Sequence, residues 1–186
     1  STTVGGYANM AEGSWSFAAG DGAQADRDGC FVWADHGGGA DASPDCKIHP
    51  PGQAPYSADD VFVARARGGF EFVTNVDAAG TPNAGVRLGA GGSVWLSVSD
   101  RDRKHGFQEI DPREVLRRVV ALPITTWKYD AEVSGARHMG PMAQDFHAAF
   151  GLGDDDRHVT SIDEAGVVLG AIQGLDAVCK DGDAAL

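Results

Sequence analysis

From Gly6 to Val32, small and apolar residues recur at every seventh position. Gly6, Gly13 and Gly20 open the series, with Arg27 in the next slot; Asn9, Ser16, Ala23 and Cys30 follow three residues after each, and Ala11, Ala18, Ala25 and Val32 five after. A coiled coil shares this period, but each interior glycine costs a helix about 1 kcal/mol. Small residues beside glycine suit short strands wound in a narrow coil, where the backbone turns sharply and packs closely. Trp15, Phe17, Phe31, Val32 and Trp33 set the stretch apart from a flexible Gly-rich linker, which carries few large apolar groups. Residues 36–59 break the pattern; Pro44, Pro50, Pro51 and Pro55 among Gly, Ala, Asp and Ser predict a surface loop. Beyond it, Val61–Arg65, Gly69–Val73, Val86–Leu88 and Val94–Val98 are short, roughly alternating runs that predict a compact β segment.

Near Asp100 the pattern becomes charged and helical. Asp111, Pro112 and Glu114 read as N-cap, N1 and N3 of a helix, an acid-capped relative of the capping box. Val115, Leu116, Val119, Val120 and Leu122 continue it at helical spacing, and Pro123 stops it. Ile124–Tyr129 is a strand by propensity. Met142–Phe150 predicts a second helix ended by Gly151 and Gly153. Val167, Val168, Ala171, Ile172, Leu175 and Val178 trace a stripe of period 3.5, the seam of a short coiled coil. Gly166, Gly170 and Gly174 weaken that helix, which implies partner chains. The plainer alternative is an amphipathic helix packed on its own domain.

Composition narrows the class. Of 186 residues 42 % are apolar and 23 % charged, enough for a core, while 26 glycines point to tight turns. A formal charge of −12 repels phosphate backbones, so nucleic acid is excluded as an expected partner. No apolar run reaches the roughly 18 residues that span a bilayer. The start has neither the basic nor the apolar region of a signal peptide and lacks an initiator Met, so the chain reads as a piece of something longer. Cys30, Cys46 and Cys179 cannot all pair within one chain. Cys30 and Cys46 lie near His36 and His49, but the spacing fits no common zinc pattern. A loop disulfide or free thiols are the expectation, with no metal and no cofactor. His147 and His158 read as surface residues, and Asp154–Asp156, without EF-hand spacing, as a solvated acidic loop.

The chemical candidate is the run Ser99-Asp100-Arg101-Asp102-Arg103-Lys104. A serine hydroxyl is a weak nucleophile until a base takes its proton, and lysine serves only where desolvation or neighbouring cations favour its neutral form. Arg101 and Arg103 flank Lys104 in sequence. Spacing alone marks nothing here, because serine followed five residues later by lysine is common on solvated surfaces.

Two resemblances sharpen the reading. Gly13–Gly20 followed by Ala23-Gln24-Ala25 resembles the Ser-x-Ala-x-Gly-x-x-Ala-x-Ala head repeats of trimeric autotransporter adhesins and related phage fibre proteins, and Gly29–Asp35 resembles the segment closing such arrays. That resemblance, over about residues 4–35, implies a left-handed β-roll of three chains. In the second half, Ser99-Asp100-Arg101-x-x-Lys104, Asp111–Leu122 with Pro123, Trp127-Lys128-Tyr129, Arg137–Phe146 and Ala165–Leu175 occur in order. Together they resemble the C-terminal intramolecular chaperone domain of endosialidases and other phage tail fibres, a family of self-cleaving serine peptidases. The resemblance covers about residues 97–178.

It implies a homotrimeric assembly factor that aligns a preceding β-structured fibre and then cuts itself free. Ser99 would be the nucleophile, Lys104 its general base and Ser99–Asp100 the scissile bond; His138 and Gln144 would be structural polar groups shaping the Lys104 pocket. Ser99 Oγ attacking its own carbonyl closes a four-membered ring, whereas attack on the preceding carbonyl of Val98 closes a relaxed five-membered one; cutting after Ser99 therefore needs an activated water or another subunit, and the sequence does not choose among these routes. Family members commonly follow the lysine with an acidic residue and Asn, where this chain has His105 and Gly106, a change that alters the field around Lys104. The expected architecture is α+β: β-roll repeats at 1–35, a loop and β-structured fibre segment at 36–99, and a mixed α/β chaperone module with a C-terminal helix at 100–186. The expected partners are two further copies, the rest of a fibre or particle at the N-terminal side, and a cell-surface receptor; the expected location is a phage tail fibre or an extracellular appendage. An uncleaved trimeric cap or adhesive tip is the alternative, and a trans-acting hydrolase is disfavoured because no pocket of convergent acids, bases and a nucleophile can be assembled.

Overall fold

The seven-residue glycine period becomes a stack of parallel strands. The computed structural model describes residues 1–36, 47–48, 56–57 and 59–184, which divide into the units Ser1–His105 and Gly106–Leu186. In the first unit, β1 (Thr2–Tyr7), β2 (Met10–Ala11), β3 (Phe17–Asp21), β4 (Gln24–Ala25) and β5 (Phe31–Ala34) wind as a coil. Strands β1, β3 and β5 pair in parallel, with Gly6 against Gly20, Phe17 against Phe31 and Gly20 against Ala34, so one full coil takes fourteen residues. Strands β2 and β4 form a second parallel pair. Left-handed backbone at Ala8, Trp15, Gly22 and Gly29 makes the corners, one every seven residues.

The period has a steric cause. A Cβ on Gly6 would land on the carbonyl oxygen of Gly20, one on Gly13 on that of Arg27, and one on Gly20 on that of Ala34. Each glycine is therefore the point where the next coil's backbone crosses it directly. The other two heptad series fill the narrow interior: Ala18, Ala23, Ala25 and Val32 are fully buried, Cys30 nearly so, and Ser16 is buried with its hydroxyl donated to the Gly13 carbonyl at 2.6 Å. Asn9 ties coils together, donating to the carbonyls of Gly5 at 2.7 Å and Gly20 at 2.8 Å and accepting from Ala23 N at 2.9 Å. Cys30 is disulfide-bonded.

Strand β6 (Lys47–Ile48) pairs antiparallel with β7 (Tyr56–Ser57) inside the stretch expected as loop; Cys46 and His49 lie outside the described residues. Strand β8 (Phe62–Arg65) then returns to pair in parallel with β5 as a further rung of the stack. Phe17, Phe31 and Phe62 stack ring on ring along its outer face, with centroids 4.5 and 4.9 Å apart. An antiparallel sheet follows, with β10 (Pro82–Gly89) between β9 (Gly69–Val76) and β11 (Trp95–Ser97). The four expected runs at 61–98 are thus all strands.

The second unit holds α1 (Pro112–Ala121), β12 (Thr125–Trp127), β13 (His138–Gly140), α2 (Ala143–Phe150) and α3 (Ser161–Ala184). Helix α1 starts as expected: the Asp111 carboxylate accepts from Arg113 N at 3.0 Å, with Pro112 in the first turn. Glu114 does not close a capping box; it accepts from Arg117 and Arg118 instead. Helix α2 ends at Gly151, in left-handed conformation, and buries Phe146. On α3 the expected stripe divides between two faces. Val167 and Ala171 are buried, whereas Val168, Ile172, Leu175 and Val178 are 45–57 % exposed. Gly170 and Gly174 lie on the buried side, and a Cβ on Gly174 would strike the Pro112 carbonyl, so these glycines admit α1 rather than merely weaken the helix. The fold class is therefore mixed α+β with a C-terminal helix. No helix among the described residues is long and apolar enough to cross a membrane.

Candidate active site

Strand β11 ends at Ser97, and Val98–Asp100 lead from it into a short turn. Asp100 is extended, and Arg101–Arg103 form one turn of 3-10 helix. Arg103 N donates to the Asp100 carbonyl at 3.3 Å and Lys104 N to the Arg101 carbonyl at 3.1 Å. Lys104 leaves the turn in extended conformation, and its Nζ donates to Ser99 Oγ at 2.7 Å. The structure thus brings together the two residues singled out as nucleophile and base, at a distance suited to proton transfer. Both are exposed, as is Asp100 between them.

His138 and Gln144 belong to the second unit. His138 Nε2 is 2.8 Å from Glu132 Oε2, and its ring stacks on Trp127 with centroids 4.9 Å apart. Glu132 also accepts from Ser134 Oγ at 2.6 Å; that bond first, then His138, holds its carboxyl below the usual range. Gln144 lines a cleft of about 450 Å³ with Trp127, Tyr129, Met142, Arg157 and Glu164. Among the described residues no group of His, Cys, Asp and Glu has the geometry to hold a metal ion. The loop at Asp154–Asp156 is organised by one carboxylate: Asp155 accepts from Arg157 N at 2.8 Å and His158 N at 2.9 Å, and lies 2.9 Å from the His158 ring. His147 Nδ1 is 2.8 Å from the Leu152 carbonyl at the end of α2. Cys179 is an exposed free thiol.

Glu114 carries the strongest electrostatic perturbation. Hydrogen bonds from Arg117, then Arg118, lower its carboxyl from the ordinary 4.5 to about 2. Arg118 in turn donates to the Ala149 carbonyl at 2.8 Å, joining α1 to the end of α2. A carboxyl depressed on folding contributes stability that is complete above its unfolded value and is lost as pH falls through the folded one. The thermal midpoint of the helical unit should therefore decline between pH 4.5 and about 2, and Glu114→Gln should flatten part of that decline. Calorimetry across this window checks it; identical slopes for both proteins would refute the assignment.

Residues 99–152, spanning the serine-lysine turn, α1, the β12–β13 pair and α2, match the family model described as chaperone of endosialidase. That match supports a C-terminal intramolecular chaperone domain in the chain. No curated protein matches the sequence. What reading the residues missed was the turn that closes the Ser99–Lys104 pair. Its signal was present in Asp100, a favoured cap residue placed directly before a short charged run.

Proposed function

We propose that this chain is a fibre-assembly module acting as a homotrimer, in which the chaperone domain aligns three copies of the β-structured N-terminal segment and then cuts itself free at Ser99–Asp100. The observation that carries the peptidase part is the 2.7 Å contact of Lys104 Nζ with Ser99 Oγ. Once Nζ has lost its proton, the same contact accepts the hydroxyl hydrogen and activates Ser99. The net reaction consumes one water: the Ser99–Asp100 C–N bond breaks, the hydroxyl stays on the Ser99 carbonyl carbon, and the hydrogen goes to the Asp100 nitrogen. Ring strain forbids Ser99 Oγ from adding to its own carbonyl, so the attacking oxygen is a water it activates or the Ser99 hydroxyl of another copy. Both side chains are exposed in one chain, so the burial that a lysine base requires comes from neighbouring copies. Cutting is thereby coupled to assembly. His138 and Gln144 support the chaperone domain in this reading and take no part in the chemistry.

The parallel coil supports the fibre half of the reading. Its interior is mostly alanine, too thin to supply much apolar burial, while Val4, Tyr7, Trp15 and Phe62 remain at least half exposed. Exposed Val168, Ile172 and Leu175 on α3 offer a seam for like helices. The chaperone-of-endosialidase family is associated with phage tails, which favours a tail fibre as the setting. Intertwined coils have many non-local contacts and nucleate slowly; a helical clamp raises effective concentration, and its removal leaves the fibre kinetically trapped. The exposure of Ser99 and Lys104 favours a second reading, an uncleaved trimeric cap or adhesive tip. Light scattering and a denaturing gel on the purified chain separate the two. Trimers with fragments 1–99 and 100–186 support the peptidase, trimers of whole chains support the cap, and a monomer overturns both.

A further inference from the structure

We infer that Asp100 is a positioning residue for the self-cleavage, its carboxylate capping the turn that carries Lys104 back to Ser99; this rests on the autopeptidase reading above. Five extended residues span up to roughly 17 Å. That is further than a lysine's four-carbon stem reaches. The contact at 2.7 Å therefore exists only because the intervening chain folds back. What folds it back is a single 3-10 turn of three residues, Arg101–Arg103, which is too short to be stable on backbone bonds alone. Of its two backbone bonds, the one from Arg103 N to the Asp100 carbonyl is long at 3.3 Å, and the one from Lys104 N to the Arg101 carbonyl is 3.1 Å. The third bond comes from a side chain: Asp100 Oδ1 accepts from Asp102 N at 3.0 Å, satisfying an N–H that the turn leaves free. The same residue supplies the nitrogen of the bond to be cut. One carboxylate thus fixes both the leaving group and the return path of the base.

A cap and a charge make opposite demands on this position. Asn and Ser present an acceptor oxygen at the same short reach; Glu keeps the negative charge but places it too far out to cap. The full chain carrying Asp100→Asn, Asp100→Ser, Asp100→Glu or Asp100→Ala is followed on denaturing gels for the rate of fragment appearance. Asn and Ser should cut within about threefold of wild type, and Glu and Ala about 2- to 30-fold more slowly than Asn, the range a lost N-cap commands. Thermal midpoints should not separate the four variants, since the turn is exposed. Glu as fast as wild type with Asn slow would assign the effect to charge and overturn the inference, as would Ala cutting at the wild-type rate. Amide exchange at Asp102, measured in the Ser99→Ala background, tests the cap without any cleavage. Protection kept with Asn and lost with Ala supports it; equal exchange overturns it. A wild-type chain that never splits refutes the peptidase reading, and a chain that cannot cut has no step for Asp100 to position, so that result overturns the inference as well.

Discussion

Ser99→Ala is expected to leave the chain whole indefinitely, and Lys104→Arg to come close to the same result. Alanine removes the only oxygen at position 99 that can be activated. Arginine is the sharper probe. It keeps a cation and donors beside Ser99, so any role resting on the 2.7 Å hydrogen bond alone would survive. Arginine does not give up its proton in a protein, so a general-base role would not survive. Loss of a positioned base costs about 10²–10⁴-fold in rate. Timed samples on a denaturing gel read this directly, and trimer formation by light scattering should be unchanged in both variants. A Lys104→Arg chain that splits at the wild-type rate would remove Lys104 from the chemistry.

The second large effect belongs to Gly20. Its φ of +100° lies where residues with a Cβ are strained, and its Cβ would overlap the Ala34 carbonyl oxygen. Strained backbone costs about 1–3 kcal/mol, and forced displacement in a packed interior about as much again. Against a typical domain stability of about 5–15 kcal/mol, Gly20→Ala should lose a large share of the first unit's resistance to urea. Gly13→Ala separates the causes. Its backbone is ordinary, so overlap alone acts, with the Arg27 carbonyl and Asp28 N, and a large loss there too would assign the effect to the close backbone approach rather than to φ. Gly68, with nothing within 4 Å of where its Cβ would lie, should tolerate alanine with little change. Equal urea midpoints for Gly20→Ala and Gly68→Ala would show that the coils do not pack as described.

The features legible in the sequence were those whose cause lies nearby or repeats. Asp111 and Pro112 announce α1 because an N-cap is settled within one turn. The glycine period was legible because each coil makes the same demand on the one before. The fourth rung was not. Strand β8 pairs with β5 across a long Gly/Pro-rich stretch, and nothing local to Phe62–Arg65 names that partner. On α3, the period of the stripe was readable but its division between faces was not. The reason for Gly174 is the carbonyl of Pro112, some sixty positions earlier in the chain. At the site, spacing alone marked nothing; it was the resemblance of Ser99-Asp100-Arg101-x-x-Lys104 and the motifs that follow it to a known family that pointed to Ser99 and Lys104. Their meeting depends on a carboxylate-capped turn whose signal is one residue long.

Because Phe31 overlies Phe17 and Ala34 overlies Gly20, the stack has a fixed frame for insertions and deletions. Adding or removing fourteen residues exchanges one whole coil and leaves every remaining glycine beneath its carbonyl. A single inserted residue would turn alanines outward and bring a side chain under a crossing backbone. Natural length variants of this segment should therefore differ by whole coils, and a designer wishing to lengthen the stack has one safe increment.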